Sequence, residues 1–140
     1  MEEHKDKDKD QYLQFLQGII TRMNSNSFSL KGWMITIVSA FVALYVDKGN
    51  MKLLLAPIGS TLLFWLLDAY YLQQERKFIS MFKDAVSGIL QPYDMDFRKY
   101  TKKSKDDNNL GYWNALTSVT VMPIYLTTIA LLIICAMVLH

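Results

Sequence analysis

The sequence predicts an all-α membrane protein: an N-terminal amphipathic helix and three transmembrane helices, the second extended into the cytoplasm. Three observations support this prediction. Charged residues are 20% of the 140 residues, yet they cluster in three stretches and are almost absent from three apolar ones. Each apolar stretch is close to the length that crosses a bilayer, about 20 residues. The basic residues are also divided unequally between the two sides that these crossings would separate.

The first 27 residues divide into two predicted parts. Residues 1–10 are mostly Lys, Asp and Glu, which is typical of a disordered charged tail. Residues 11–27 are predicted as an amphipathic surface helix and hinge, with Asn and Ser at its end suited to cap the next helix. The apolar residues that follow the three-and-four spacing of one helical face are Tyr12, Phe15, Leu16, Ile19, Ile20 and Met23.

Residues 28–72 are predicted to form a transmembrane hairpin. Its first span covers residues 28–46, a polar turn covers residues 47–52, and the second span begins near Leu53. The first apolar run starts too far from the N-terminus for a signal peptide, so we expect it to remain as an anchor. Lys31 lies at the inner edge, where its ammonium is expected to reach the interface.

The second half of the chain is predicted to contain a cytoplasmic helix and basic loop, residues 73–115, and a third transmembrane helix, residues 116–140. Pro92 ends the cytoplasmic helix. The single cysteine, Cys135, excludes an internal disulfide.

The basic residues predict the orientation. With the N-terminus inside, thirteen of the fifteen Lys and Arg lie in the cytoplasm, and only Lys48 and Lys52 lie outside. We therefore expect a multi-pass protein of the bacterial inner membrane, with a cytoplasmic N-terminus and a periplasmic or extracellular C-terminus.

Asp68 is the strongest candidate for a functional residue, because a carboxylate within a span is costly unless its charge is offset. Lys31 is the expected partner on the neighbouring helix, and Arg22 is the second candidate. Two interpretations are open. The pair is a structural bridge that fixes the hairpin, or Asp68 lines a water-filled pathway.

Further polar residues are candidates for a pore or its gate. They lie in or just before the first span, and any pore needs several copies of the chain, because three helices cannot enclose a channel. Hydroxyl groups in spans usually bond to their own helix carbonyls, which is the alternative interpretation. The candidates are Asn24, Ser27, Lys31, Trp33, Thr36, Ser39 and Asp68.

A basic cluster follows the cytoplasmic helix. It suits the phosphates of a nucleotide or oligonucleotide, anionic lipid, or a purely topological role. Its members are Arg98, Lys99, Lys102, Lys103 and Lys105.

Catalysis is not expected. The sequence has no Cys/His pair, serine motif, phosphate-binding loop or dinucleotide fingerprint, so neither an enzyme nor a cofactor or metal site is predicted.

Two motifs resemble a known group of proteins. They comprise residues 22–24, 26–28 and 30–33, and then residues 64–72 with Glu75 and Arg76. The sequence is similar there to small bacterial membrane effectors of anti-phage defence, of the Hailong type or the cyclic-oligonucleotide channel type. The resemblance covers residues 11–82 and does not extend past Pro92.

The resemblance implies a homo-oligomer, a ring of about four or more copies that forms a pore gated by a nucleotide or oligonucleotide. Opening would depolarise the membrane, and a nucleotide-synthesising enzyme of the same locus would be a further partner. The alternative is a non-conducting anchor or scaffold that recruits a cytoplasmic partner through residues 73–105.

Overall fold

The computed structural model describes residues 2–94, 96, 97, 99, 100 and 110–138, with side chains from Asp6 onward. Helices dominate this part of the chain, and it contains no β-strand. The α-helices are α1 (Glu2–Lys48), α2 (Leu55–Val86), α3 (Tyr112–Leu116) and α4 (Met122–Val138), and a 3-10 helix (Met51–Leu54) precedes α2. The all-helical class is therefore as predicted.

A tight turn joins α1 to α2 in an antiparallel hairpin. Gly49 has φ +62°, a left-handed conformation that glycine adopts without strain, and its N–H donates to the Tyr45 carbonyl at 2.8 Å. The Asn50 side chain then accepts from the Lys52 N–H at 3.1 Å and caps the 3-10 helix. Pro57 falls in the first turn of α2, where its missing N–H costs little.

Two helices are long and apolar enough to cross a membrane, α1 and α2. In their most apolar stretches, 17% and 28% of the residues are buried, so most residues of these stretches are partly or fully exposed. α4 is also apolar but shorter, with 17 residues. At 1.5 Å per residue, α1 and α2 extend about 70 Å and about 48 Å, well beyond the roughly 30 Å of a bilayer core.

The excess length forms a two-helix projection that we call the stalk, residues 2–27 of α1 and 73–86 of α2. Its core contains Tyr12 and Leu16 of α1 with Met81 and Ala85 of α2. Tyr100 packs on this core, and its hydroxyl donates to the Asp84 carboxylate at 2.8 Å. The Tyr12 hydroxyl donates to the Asp94 carbonyl at 2.9 Å, so the chain beyond α2 folds back on the stalk.

The stalk corrects two predictions for the N-terminal region. Residues 2–10 were expected to be disordered, but they are the first turns of α1. No hinge interrupts residues 11–27, and Tyr12 and Leu16 of its apolar face pack on α2, whereas Phe15 of the same face is exposed. The physical reason is that α2 continues past the apolar region and offers a partner surface along which α1 can remain helical.

The helices α3 and α4 do not begin where the third span was predicted to begin. The chain does not enter one helix at residue 116, because α3 ends there and turns occupy residues 117–121. The Trp65 indole donates to the Leu116 carbonyl at 3.0 Å, which satisfies a backbone group freed by this break. α4 then begins at Met122 and packs mainly on α2.

Candidate functional site

Four polar side chains meet where the stalk joins the apolar part of the hairpin. Asp68 is fully buried there. Its Oδ2 lies 2.6 Å from Lys31 Nζ and accepts from the Tyr125 hydroxyl at 3.2 Å. The Ser27 hydroxyl donates to Oδ1 and accepts from Lys31 Nζ at 2.8 Å. We call these four residues the buried polar cluster.

The cluster assembles because each helix presents the required residue at the same depth. Ser27 and Lys31 are four apart and therefore share a face of α1. Asp68 occupies the facing side of α2. Tyr125 is in the first turn of α4, where its ring stacks on Trp65 with centroids 6.2 Å apart and an interplanar angle of 8°. The cluster thus connects α1, α2 and α4.

The electrostatics of the cluster are those of a satisfied buried ion pair. The Lys31 ammonium balances the Asp68 charge, and the two hydroxyls supply the remaining hydrogen bonds. Such a pair contributes little net stability compared with apolar residues, but removing one partner leaves an uncompensated charge. The cluster therefore joins α1, α2 and α4 through one buried ion pair and hydrogen bonds, a geometry that both interpretations of Asp68 share.

A second polar layer lies on the stalk side of the cluster. The Asn24 side chain hydrogen-bonds to the Glu75 carboxylate, whose pKa is raised because burial outweighs the opposing effects of Arg76 and Lys31. Arg76 donates to Asn114 Oδ1 at 2.6 Å and to the Ser118 hydroxyl at 3.0 Å. This layer attaches the segment around α3 to α2.

The structure brings together three of the residues predicted for the pore or gate, Ser27, Lys31 and Asp68. It separates them from Arg22, which is exposed and makes no ion pair with Asp68. Asn24 lies beside Glu75 in the second layer rather than at a helix cap.

The remaining pore candidates lie outside the cluster. Trp33 is exposed. Thr36 is also exposed, and its hydroxyl donates to the Gly32 carbonyl at 3.0 Å. Ser39 lines an apolar groove of about 420 Å³ between α1 and α4.

The predicted basic cluster falls mostly outside the described residues, which exclude Arg98, Lys102, Lys103 and Lys105. Lys99 is described. Its exposed ammonium lies 3.4 Å from the Asp94 carboxylate.

Sequence reasoning missed Tyr125 and Arg76. The sequence indicates an interfacial aromatic residue at Tyr125, yet its hydroxyl is buried and donates to Asp68. Arg76 reads as a helix-forming cation, yet it holds the α3 segment. For Tyr125 the available signal was that a carboxylate buried within a span requires hydrogen-bond donors beyond its counter-ion.

Lys77 is a further unpredicted feature, in the stalk. The side chain is 5% exposed, and its ammonium lies 5.6 Å from the centroid of the Phe97 ring. It makes no ion pair among the described residues. Burial therefore lowers the pKa of Lys77.

We expect Lys77→Met to stabilise the stalk by about 1 kcal/mol near neutral pH, because methionine fills similar space without a desolvated charge. The destabilisation caused by the buried Lys77 ammonium is largest at pH values below the lowered pKa of the folded state. It disappears as the pH rises to the unfolded value near 10.5, so wild-type stability should rise over that interval. Thermal unfolding of both proteins across pH measures this. If the wild-type protein were more stable than Lys77→Met at neutral pH, the prediction would be wrong.

The described residues contain no group of three or more His, Cys, Asp or Glu that could hold a metal ion. Comparison with protein-family models, curated proteins and solved structures finds no match.

Proposed function

We propose that this chain is an integral membrane protein in which α1 and α2 form a transmembrane hairpin and α4 is the third span. The mostly unburied apolar stretches of α1 and α2 support this, because lipid suits such surfaces and water does not. α4 carries no charged residue and extends about 26 Å, close to the thickness of a bilayer core.

The basic residues support a cytoplasmic stalk and an N-terminus on the same side, in the bacterial inner membrane. Among the basic residues whose side chains the structure describes, Lys48 and Lys52 lie at the end of the hairpin opposite the stalk. The stalk and the described residues that follow it contain Lys7, Lys9, Arg22, Arg76, Lys77, Lys83 and Lys99.

We further propose that several copies, about four or more, form a ring around an ion-conducting pore lined by α1. One observation carries this proposal: a stripe of exposed residues along α1, between exposed Trp33 on one side and exposed Ile35 on the other, has no side chain larger than threonine over three turns. Its residues recur at three- and four-residue spacing, so they share one side of the helix. They are Gly32, Thr36, Ser39, Ala40 and Ala43, all exposed.

The exposed faces of the other helices have a different character. α2 exposes leucines, including Leu62, Leu63 and Leu66, and α4 exposes Leu131 and Ile133. Large apolar side chains suit contact with lipid, whereas small and hydroxyl residues suit close helix packing or a narrow polar passage. This contrast favours α1 as the helix that faces the axis.

Gating from the cytoplasm is the second half of the proposal. The two motifs that resemble anti-phage effectors are about forty residues apart, yet they meet in the buried polar cluster and in the contact between Asn24 and Glu75. The cluster joins the stalk to all three spans, so a nucleotide or oligonucleotide bound on the cytoplasmic side has a physical route to the pore. Opening would depolarise the membrane during infection, with the signal supplied by a nucleotide-synthesising enzyme of the same locus.

Ion flux from liposomes containing the purified protein tests conduction. Flux is measured alone and with cyclic dinucleotides or short linear oligonucleotides. We expect Ala43→Trp, in the proposed lining, to reduce the maximal flux about ten-fold or more by narrowing the passage. Leu63→Trp, on the exposed face of α2, is the matched control and should conduct normally.

The absence of wild-type flux under every condition would overturn conduction. Equal losses in the two tryptophan variants would instead overturn the assignment of α1 as the lining helix.

A second candidate function is a non-conducting anchor or scaffold that recruits a cytoplasmic partner through the stalk and the loop that follows it. The hydrogen bonding of Asp68 favours this candidate. Its carboxylate has three donors within the protein, so a water-filled pathway is not needed to account for a charge at this position. Liposomes that contain the wild-type protein but show no ion flux under any condition would support this candidate.

A further inference from the structure

An open apolar groove lies at the end of the hairpin opposite the stalk, between the start of α2 and the end of α4. Its volume is about 770 Å³. Buried Leu54 and Leu132 are among the residues that line it. Its other apolar lining residues come from both sides and are Met51, Leu55, Ile58, Ile133, Ala136 and Met137.

α4 packs on the hairpin in two places, and the groove lies beside the second of them, where Leu132 is buried with Tyr45 and Leu54. Tyr125 and Val121 are fully buried in the contact with α1 and α2 near the buried polar cluster. Beyond Leu132 the helix has a partly exposed apolar face on the groove side, where Met137 is 69% exposed. Protein surfaces in contact pack closely, so a space of this size and apolar character calls for an apolar occupant.

One basic residue, the exposed Lys52, is part of the groove lining. Its ammonium forms no ion pair with any part of the chain that the structure describes. The Asn50 side chain accepts from the Lys52 backbone N–H, which holds this residue at the groove. An occupant that complements the groove therefore has a long apolar part and an anionic end, which is the chemistry of a phospholipid with a net negative headgroup.

We propose that this groove binds one anionic phospholipid per chain, with an acyl chain along the apolar walls and the headgroup phosphate at Lys52. The proposal rests on the membrane insertion proposed above but not on conduction. In the proposed orientation the bound lipid belongs to the outer leaflet, so the site is separate from any cytoplasmic ligand.

Photo-crosslinking in nanodiscs tests the site. The full chain is reconstituted in phosphatidylcholine containing a small fraction of phosphatidylglycerol with a photoreactive acyl chain, and the labelled peptides are identified by mass spectrometry. We expect labels on residues 51–58 and 132–137. Replacing the probe with a phosphatidylcholine of the same reactive chain should reduce this labelling several-fold.

Two pairs of variants separate the headgroup contact from the acyl-chain contact. Lys52→Glu should reduce labelling by phosphatidylglycerol about five-fold. Lys48→Glu makes the same change in charge at the end of α1 outside the groove, and labelling should persist. Ala136→Leu narrows the groove and should reduce labelling by both probes, whereas Ala130→Leu, on exposed α4 surface outside the groove, should not.

Labels spread evenly over the exposed faces of the three spans, or equal effects within each pair, would overturn the proposal. Crosslinks between Lys52 of two copies of the chain, formed by a bifunctional amine reagent in the same nanodiscs, would also overturn it and assign the groove to an oligomer contact. If the protein enters nanodiscs but these tests fail, the lipid site is contradicted and the proposed membrane insertion is not. A protein that cannot be recovered in nanodiscs contradicts both proposals.

Discussion

Replacing Asp68 with Asn is expected to destabilise the folded protein by about 3–5 kcal/mol. Asparagine keeps the size of the side chain but removes the charge that balances Lys31, whose side chain is only 13% exposed. The lysine then remains in a largely buried position without a counter-charge. The free energy of unfolding in detergent, followed by the loss of helical circular dichroism, measures the change.

The matched control is the exposed ion pair between Lys99 and Asp94. Lys99→Ala removes one partner at a position where water replaces it, so the change should stay below about 1 kcal/mol. Similar small effects for Asp68→Asn and Lys99→Ala would contradict a structural role for the buried pair.

The exchange of both charges, Lys31→Asp with Asp68→Lys, distinguishes the two interpretations of Asp68. A structural bridge requires opposite charges at this depth, so the double variant should regain part of the stability that either single variant loses. If stability returns but ion flux does not, the carboxylate is needed at its own position for conduction. If both return, the pair is structural.

Leu16→Ala is expected to destabilise the stalk by about 2–5 kcal/mol, because Leu16 is fully buried between α1 and α2 and its loss leaves a cavity. Phe15→Ala is the control. Phe15 is the adjacent residue but is 53% exposed, so its truncation should change stability by less than about 1 kcal/mol. Unfolding of the purified protein in detergent measures both.

This pair of variants also tests the correction made to the N-terminal region. A helix that lies on the membrane surface would not depend on Leu16 for packing within the protein, and both truncations would leave the unfolding free energy nearly unchanged. If the stalk is packed as described, Leu16→Ala loses stability and Phe15→Ala does not.

Local sequence patterns were sufficient for part of the structure. The apolar stretches predict helices, because burial or lipid contact of a helical segment requires many consecutive apolar residues. Gly49 and Asn50 predict the reversal between α1 and α2, since both residue types suit turns. The depths of Lys31 and Asp68 predict their proximity, because antiparallel helices joined by a short turn place matched positions opposite each other.

The same reasoning could not predict how far α1 extends. Residues 2–10 have a composition that favours disorder, and Asn24 to Ser27 suit a helix cap. Both local preferences are weak compared with packing along an extended partner helix, so α1 remains continuous past them.

By itself, the sequence determined the helical class, two helices apolar enough to cross a membrane, and a carboxylate that needed a basic partner. These properties depend on composition and periodicity along single segments. Only the tertiary structure decided that Tyr125 and Ser27 complete the hydrogen bonding of Asp68, that Arg76 holds the α3 segment, and that a stripe of small residues on α1 is exposed. Those features depend on which sides of distant helices meet, and periodicity within one segment does not specify its partner.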